Sequence, residues 1–364
     1  MRPRLGESSG EAGIAARQAA GASAATTSPS AAITSPSAAI TSPSAATPSP
    51  SVTTTGDVAG IVPARRLDPS LAGTYDFIEI SDLHDTLESE LGEPVLPVLA
   101  THLKRIDAQN PGKTLMLSGG DNVDGSLRAL RDASDAPVME ALEAMGLDAT
   151  ALGNHEYRAY GVERLVRETL ADCDIPVLCA NLLDPKTGKP AFAPDKVFRL
   201  GALRVAVIGS SSDKIRKRYL AGENPQWLYV PHAEAINARA RAIRSQDRAD
   251  LVVALVHEGG YEDGKGKGGG TLVALAQELE GVDAVFGGDT HTVVRTASEG
   301  MPVVVPGAEG TGYMRVTLTV DRDGGMRFDL QFVRLNTEEA DGYRAEQPIC
   351  DPLVLAMVRK ALKE

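Results

Sequence analysis

The stretch Ala149-Thr150-Ala151-Leu152-Gly153-Asn154-His155-Glu156 holds a mostly apolar run, long enough for one buried strand, that stops at a glycine. An amide, an imidazole and a carboxylate follow in three consecutive positions. Glycine lets the backbone turn sharply where a side chain would clash, so the polar trio can be held at a strand's end. Alone, the pattern reads as a turn entering a helix. Four recurrences change that.

Tyr75-Asp76-Phe77-Ile78-Glu79-Ile80 runs into Ser81-Asp82-Leu83-His84-Asp85, and Thr114-Leu115-Met116-Leu117 into Ser118-Gly119-Gly120-Asp121-Asn122. Leu251-Val252-Val253-Ala254-Leu255-Val256 ends on His257-Glu258-Gly259-Gly260, and Val282-Asp283-Ala284-Val285-Phe286 on Gly287-Gly288-Asp289-Thr290-His291. Five strand-like runs therefore stop at residues able to bind a metal, and four of the six histidines sit at these stops. In open α/β sheets sites form outside the carboxyl ends of strands, so five such ends can share one crevice.

The 364 residues carry 37 basic and 49 acidic side chains, a net charge of -12. That argues against a nucleic-acid polymer as main partner, since polymer binding needs basic surface to replace counterions. A small anionic substrate stays open, because a metal's local charge outweighs the global field. No apolar run approaches the length of a membrane span. Cys173, Cys179 and Cys350 form no C-x-x-C pair, so buried free thiols are expected, with a Cys173–Cys179 bridge the lesser alternative.

Residues 1–72 read as a disordered Ala/Ser/Thr/Pro-rich tail and linker. Thr27-Ser28-Pro29-Ser30-Ala31-Ala32-Ile33 repeats from Thr34 and again from Thr41, with Thr47 in place of isoleucine. A proline in every unit favours a flexible tether over a coiled coil. Arg2 and Arg4 resemble the start of a signal peptide, but no apolar h-region follows.

Folded character is expected from Thr74. Helices are predicted over 97–109, 136–145 (Asp135 as N-cap, Gly146 ending it), 162–170, 233–244 and 272–279, with His102 packed or on the surface and His232 a surface or capping residue. Residues 175–180 read as a strand, 197–200 and 205–208 as paired strands, and 314–320 with 326–335 as a hairpin. Asp351 and Pro352 open a closing helix. Tyr261–Gly270, with Lys265 and Lys267, reads as a solvated loop, folding over a phosphate being the alternative. Strands alternating with helices imply a layered α/β architecture with mixed pairing.

Asp, His and Asn at converging ends suit Mn, Fe, Zn or Co better than calcium alone. One aspartate bridging two ions gives a clamp for in-line phosphoryl displacement, in which a bridging water loses a proton and attacks. An imidazole outside the metal shell then serves the leaving oxygen.

The set SDLHD, GGDN, GNHE, VHEGG and GGDTH, in that order between Thr74 and Arg334, resembles the calcineurin-like metallophosphoesterases, specifically the catalytic domain of the 5'-nucleotidase family. The resemblance implies a four-layer sandwich, α/β (α+β), of two mixed β-sheets flanked by helices, spanning 73–350. It implies two divalent ions (Mn, Fe, Zn, Co or Mg). Asp82, His84, Asp121 and His291 would hold one, and Asp121, Asn154, His257 and Asp289 the other. His155 would be the catalytic imidazole, with Asn154 also approaching the substrate phosphate. The implied activity is phosphomonoester hydrolysis, 5'-nucleotidase-like. Alternatives on the same scaffold are cyclic-nucleotide phosphodiester or thiosulfate-ester hydrolysis, or a metal-binding protein with little turnover. The resemblance favours a periplasmic or secreted location.

Three departures stand out. Asp289 occupies a place where the family usually has histidine. Arg158 stands where an aspartate usually orients the catalytic histidine; it is a catalytic candidate that would face His155 and disfavour its charged form, reach solvent, or bind a substrate phosphate. Residues 351–364 resemble the helix that leads to a second, substrate-gripping domain; the alternatives are a fragment, for which a separate substrate-binding domain is a candidate partner, and a chain whose substrate is recognised by this domain alone.

Overall fold

Every residue of Leu251–Val256 is buried. Leu251, Val253 and Leu255 enter one hydrophobic cluster, and Val252, Ala254 and Val256 another. Period-two alternation with no polar side is what a strand covered on both faces requires. The computed structural model describes residues 52–54, 57–89, 94–126, 130, 133–221, 226–263, 267–335 and 349–362, all within one unit, 49–364.

In chain order the first strands are β1 Val52–Thr54, β2 Val58–Ile61, β3 Gly73–Ile80, β4 Thr114–Ser118, β5 Ala149–Ala151, β6 Val177–Leu178, β7 Leu182–Leu183, β8 Asp195–Leu200 and β9 Leu203–Ser210. They continue as β10 Leu228–Tyr229, β11 Leu251–Val256, β12 Tyr261–Glu262, β13 Gly268–Gly269, β14 Ala284–Phe286, β15 Val293–Ser298, β16 Met301–Pro306, β17 Gly312–Val320 and β18 Met326–Leu335. One sheet runs β1-β18-β17-β3-β4-β5-β6, with β2 also on β18. β3 to β6 are parallel, while β17 is antiparallel to β3 and β18. The other runs β15-β16-β14-β11-β9-β8, parallel inside and antiparallel at both edges.

The two sheets face each other across one apolar cluster, where Phe77 and Phe286 approach with ring centroids 6.2 Å apart. Helices Val95–Gln109, Ala136–Met145 and Pro352–Leu362 cover the outer side of the first sheet, burying Leu99, Leu103, Leu142, Val354 and Val358. Helices His232–Ser245 and Thr271–Glu278 cover the second through Ile236, Ile243 and Leu272. The result is the four-layer arrangement of two mixed sheets flanked by helices that the motif order implied. Among the described residues, no helix is long and apolar enough to cross a membrane.

Several local expectations change. The tail does not reach residue 72: β2 pairs with β18, and Ile61, Leu67 and Leu71 are buried in the central cluster. Arg65 grips Asp283 through Nε and Nη2 at 2.8 and 3.0 Å. Three apolar residues without period gave no signal, because a ribbon rather than a helix docks them. Residues 1–51 and 55–56 of that expected tail lie outside the described residues.

The helix expected from Val162 begins eight residues earlier, as Asn154–Arg164, and continues as a π turn over Leu165–Thr169. It is broken at Gly161 (φ 62°, ψ -176°). Its polar first turn faces the strand ends, which hides the apolar stripe on which a helix is usually recognised. Asp135 stands at the N-cap position as expected, but its side chain makes no cap bond; its Oδ2 accepts Gly125 N at 2.9 Å and the Tyr160 hydroxyl. Gly146 (φ 97°) closes that helix in the left-handed conformation only glycine adopts freely.

Tyr261–Gly270 is not a plain loop, since β12 and β13 pair within it; Lys265 lies outside the described residues. His102 is buried in its helix, near the Tyr313 ring. His232 is neither surface nor cap: its ring bonds Ser210 Oγ at 2.7 Å and the Tyr229 hydroxyl at 3.1 Å. Cys173 and Cys179 are free thiols, so the alternative bridge does not form.

Candidate metal centre

β3, β4 and β5 lie side by side and parallel in the first sheet, as do β11 and β14 in the second, and the polar turns sit at their carboxyl ends. Two glycines permit the turns to converge. A Cβ on Gly119 would lie 2.4 Å from Gly287 O, and one on Gly153 would lie 2.1 Å from Asp121 Oδ1. The turns themselves are tight: Asp82, His84, Asp121, Asp289 and His291 all have φ between 49° and 69°. Aspartate and histidine are enriched in this region among non-glycine residues, and strained conformations of about 1–3 kcal/mol each cluster where function needs them.

Asp121 is the hub. Its Oδ2 lies 3.1 Å from His257 Nε2, 3.9 Å from His155 Nε2 and 4.0 Å from His84 Nε2. Its Oδ1 accepts the His155 N–H at 2.7 Å. Asp82 Oδ1 lies 3.7 Å from His291 Nε2 and 3.9 Å from His84 Nε2. Both Asp82 oxygens accept Asp289 N at 3.0 Å, tying β3's turn to that of β14. Asp289 Oδ1 lies 3.3 Å from His257 Nε2 and, with the Asn154 amide nitrogen turned toward it, 2.9 Å from that donor. Asp82, His84 and His291 gather one set of ligand atoms within 4.8 Å, and Asp82, Asp121 and His257 a second; His84, Asp121 and His155 make a third. All seven residues expected to hold metal thus meet in one place, with His155 beside them.

The field at this place is uneven. Burial raises the Asp82 carboxyl, against the opposing pull of His257. Burial pushes Asp121 the same way, but His257 and His155 outweigh it and hold its carboxyl well below the usual range. For His257, burial opposes charge, yet the Asp121 carboxylate beside it lifts its pKa well above the ordinary imidazole value. Asp289 is lowered: burial raises it, and His257 and Lys214 more than offset that.

The donor set fits a divalent cation. His257 Nδ1–H donates to Gly119 O at 2.7 Å, so Nε2 is the nitrogen that faces carboxylate oxygens of Asp121 and Asp289, where positive charge, a proton or a cation, is favoured. His84 Nε2 and His291 Nε2 face each other at 3.0 Å. Imidazole nitrogens and carboxylate oxygens gathered this way are a donor set that suits first-row divalent ions.

Glu156, the last of the opening trio, does not point into this cluster. Its oxygens accept Asn122 N at 2.7 Å and Asp121 N at 3.1 Å, so it straps the turn after β4 to the helix at Asn154. Burial, then the Asp121 charge, pushes its carboxyl up to about 8. Arg158 donates from Nη2 to Asp124 O at 3.0 Å.

Two residues escaped the sequence reading. Lys214 Nζ sits 2.7 Å from Asp289 Oδ1. It follows β9, a sixth strand of the same rim whose end, Ser210-Ser211-Ser212, carries no metal-binding type and so gave no signal. Asp124 Oδ2 lies 3.6 Å from His84 Nδ1 and 3.7 Å from His155 Nδ1. Its spacing three residues beyond Asp121 was the available clue.

Comparison with known proteins agrees with this fold and family. The chain is 33% identical over 197 residues to a 5'-nucleotidase of Vibrio cholerae, covering 52% of this chain and 34% of the relative. It is 30% identical over 241 residues to Protein UshA of Yersinia enterocolitica, covering 62% and 42%. It therefore spans less than half the length of these curated relatives. Among solved structures, the calcineurin-like phosphoesterase YfkN from Bacillus subtilis superposes with a TM-score of 0.64 at 18% identity, over 80% of this chain and 97% of that one. A 5'-nucleotidase precursor from Thermus thermophilus gives 0.62 at 20%, over 80% and 59%. The calcineurin-like phosphoesterase family model matches residues 75–293, more than half of the sequence, and the chain belongs to that family.

Proposed function

We propose that this chain hydrolyses phosphomonoesters, nucleotides foremost, at a centre of two divalent ions. The observation that carries the reading is the position of Asp121, whose Oδ2 stands within 4.0 Å of His84, His155 and His257 at the meeting of both sheets. Asp82, His84, Asp121 and His291 would hold one ion, and Asp121, Asn154, His257 and Asp289 the other. Ions bound there would polarise phosphoryl oxygens and make water a nucleophile at neutral pH.

The remaining work falls to the chain's own groups. His155, with 24% of its side chain exposed, is open enough to hand a proton from Nε2 to the departing oxygen. The His155 N–H holds Asp121 Oδ1, which leaves Oδ2 turned toward the three histidines. Asn154, at the first turn of its helix, approaches the phosphate from the side of Asp289. The relatives named 5'-nucleotidase match about half of this chain, which is why nucleotides head the substrate list.

The test is a phosphate-release screen of the metal-stripped protein over nucleoside monophosphates, cyclic nucleotides and aryl phosphates, with Mn, Mg, Zn, Co and Fe added back singly. Release from monoesters is expected with at least one ion. Activity confined to cyclic diesters would replace the monoester reading, and silence on every ester with every ion would overturn both.

A further inference from the structure

Two helices are anchored at one carboxylate of the metal centre and meet again in a pair of aromatic rings. With its amide nitrogen turned toward Asp289, Asn154 lies 2.9 Å from Oδ1 of that residue, and Lys214 Nζ lies 2.7 Å from the same oxygen. Asn154 opens the helix Asn154–Arg164, and Lys214 stands in the first turn of the helix Asp213–Tyr219. Further along, Tyr157 of the first helix and Tyr219 of the second bring their ring centroids to 5.8 Å at 39°. Tyr157 is three positions from Asn154 and so shares its face of the helix. Tyr219 is five positions beyond Lys214, roughly 7–8 Å along the axis at the α-helical rise.

The two rings are unequal. Tyr157 packs against the apolar cluster outside the first sheet, which holds it in place. Tyr219 lies beside it with 37% of its surface exposed. Ile215 and Leu220 already bury themselves in that cluster and anchor the segment, so its docking does not depend on a ring at 219. Positive charge accompanies both rings. Arg158 donates to the Asp124 carbonyl and keeps 44% of its side chain exposed. Arg218 is exposed as well, next to Arg216 and Lys217, which are paired with Asp213. In a chain of net charge -12, a rim that gathers cations around an exposed aromatic ring suits a ligand that is both anionic and aromatic.

We propose that Tyr219, backed by Tyr157, is a specificity-determining residue of this site: the aromatic part of a phosphomonoester, a nucleobase or an aryl group, stacks on its ring while the phosphate lies at the metal centre. Stacking of this kind tolerates any base, because every base offers a π-face. The proposal rests on the functional reading above, and it assigns selection of the aromatic group to two helices of this chain.

The experiment compares kcat/KM of the manganese-loaded full chain on adenosine 5'-monophosphate and on glycerol 3-phosphate, which carries no ring. Tyr219→Ala and Tyr219→Leu should each lower the ratio of the two by about 5–50-fold, chiefly through KM for the nucleotide. Tyr219→Phe should keep the ratio. Leucine preserves apolar bulk without a π-face, so it separates stacking from packing and guards against an unfolded alanine variant. An unchanged ratio in Tyr219→Leu would overturn the proposal. If the wild type releases no phosphate, the functional reading fails, and the calorimetric Kd for adenosine 5'-monophosphate decides for Tyr219. Binding about 5–50-fold weaker in Tyr219→Leu than in the wild type would support the stacking role. Equal binding by the two, or none by the wild type, would overturn it.

Discussion

Lys214 Nζ lies 2.7 Å from Asp289 Oδ1, so the extra carboxylate of this centre arrives with its own cation. The pair joins the first turn of the Asp213–Tyr219 helix to the turn after β14. A carboxylate neutralised by lysine adds less negative charge to a metal site than a bare one. Lys214→Met should therefore tighten manganese binding, by roughly three- to tenfold, while destabilising the metal-free protein by about 1–2 kcal/mol, as expected for breaking a partly exposed pair. Calorimetric metal titration and thermal melts check the two signs; weaker manganese binding would contradict the charge argument.

The same pair makes Asp289→His a coupled change. With imidazole in place of carboxylate, the Lys214 ammonium is left facing dications and should oppose their binding. Asp289→His alone should bind zinc more weakly than Asp289→His with Lys214→Met, and the double variant should favour zinc over manganese relative to wild type. The two sites touch, so their effects should deviate from additivity by about 0.5–3 kcal/mol. Additive zinc affinities would remove Lys214 from the account.

The N-terminal boundary can be read from melting. Deleting residues 1–51 removes none of the described contacts and should leave the melting temperature unchanged. Deleting 1–72 removes buried Ile61, Leu67 and Leu71 and the Arg65–Asp283 pair. At roughly 1.5–3 kcal/mol for each fully buried aliphatic side chain, that loss should lower melting by several degrees at least. Equal melting of the two shortened chains would show that the β2 ribbon contributes nothing.

Asp148 offers a pH test away from the metal centre. Its Oδ2 accepts Met116 N at 2.9 Å, yet burial pushes its carboxyl up to about 6. A carboxyl raised on folding binds more protons native than unfolded, so its contribution to stability is present in full below its unfolded pKa near 4. That contribution is lost as pH rises through about 6. Asp148→Asn should therefore gain on the wild type between pH 4 and pH 7, by at most about 3 kcal/mol. Parallel melting profiles across that range would contradict the burial argument.

Much of this centre was legible because it is built from consecutive residues at strand ends. Gly153-Asn154-His155 and Gly288-Asp289-Thr290-His291 announce themselves by type and spacing, and the paired sheets follow from uninterrupted apolar runs such as β11. What stayed hidden depends on partners distant in sequence. Lys214 and Asp289 are 75 positions apart, and nothing in Ser212-Asp213-Lys214 marks the lysine as part of a site. Glu156 has the chemistry of a ligand, but its two bonds to the Asp121 and Asn122 amides make it a strap, a distinction only geometry draws. Arg158 suggested a histidine with no carboxylate beside it, whereas Asp124 Oδ2, on another turn, lies 3.7 Å from His155 Nδ1.

The most direct test of the proposed two-ion centre is phosphate release followed while manganese is titrated into metal-stripped protein. Turnover should stay near zero through the first equivalent, rise with the second and then level off. Asp121→Ala should bind neither ion tightly, whereas His155→Asn should bind both and lose turnover by about 10²–10⁴-fold. Full activity at one equivalent, or full activity in His155→Asn, would contradict the account.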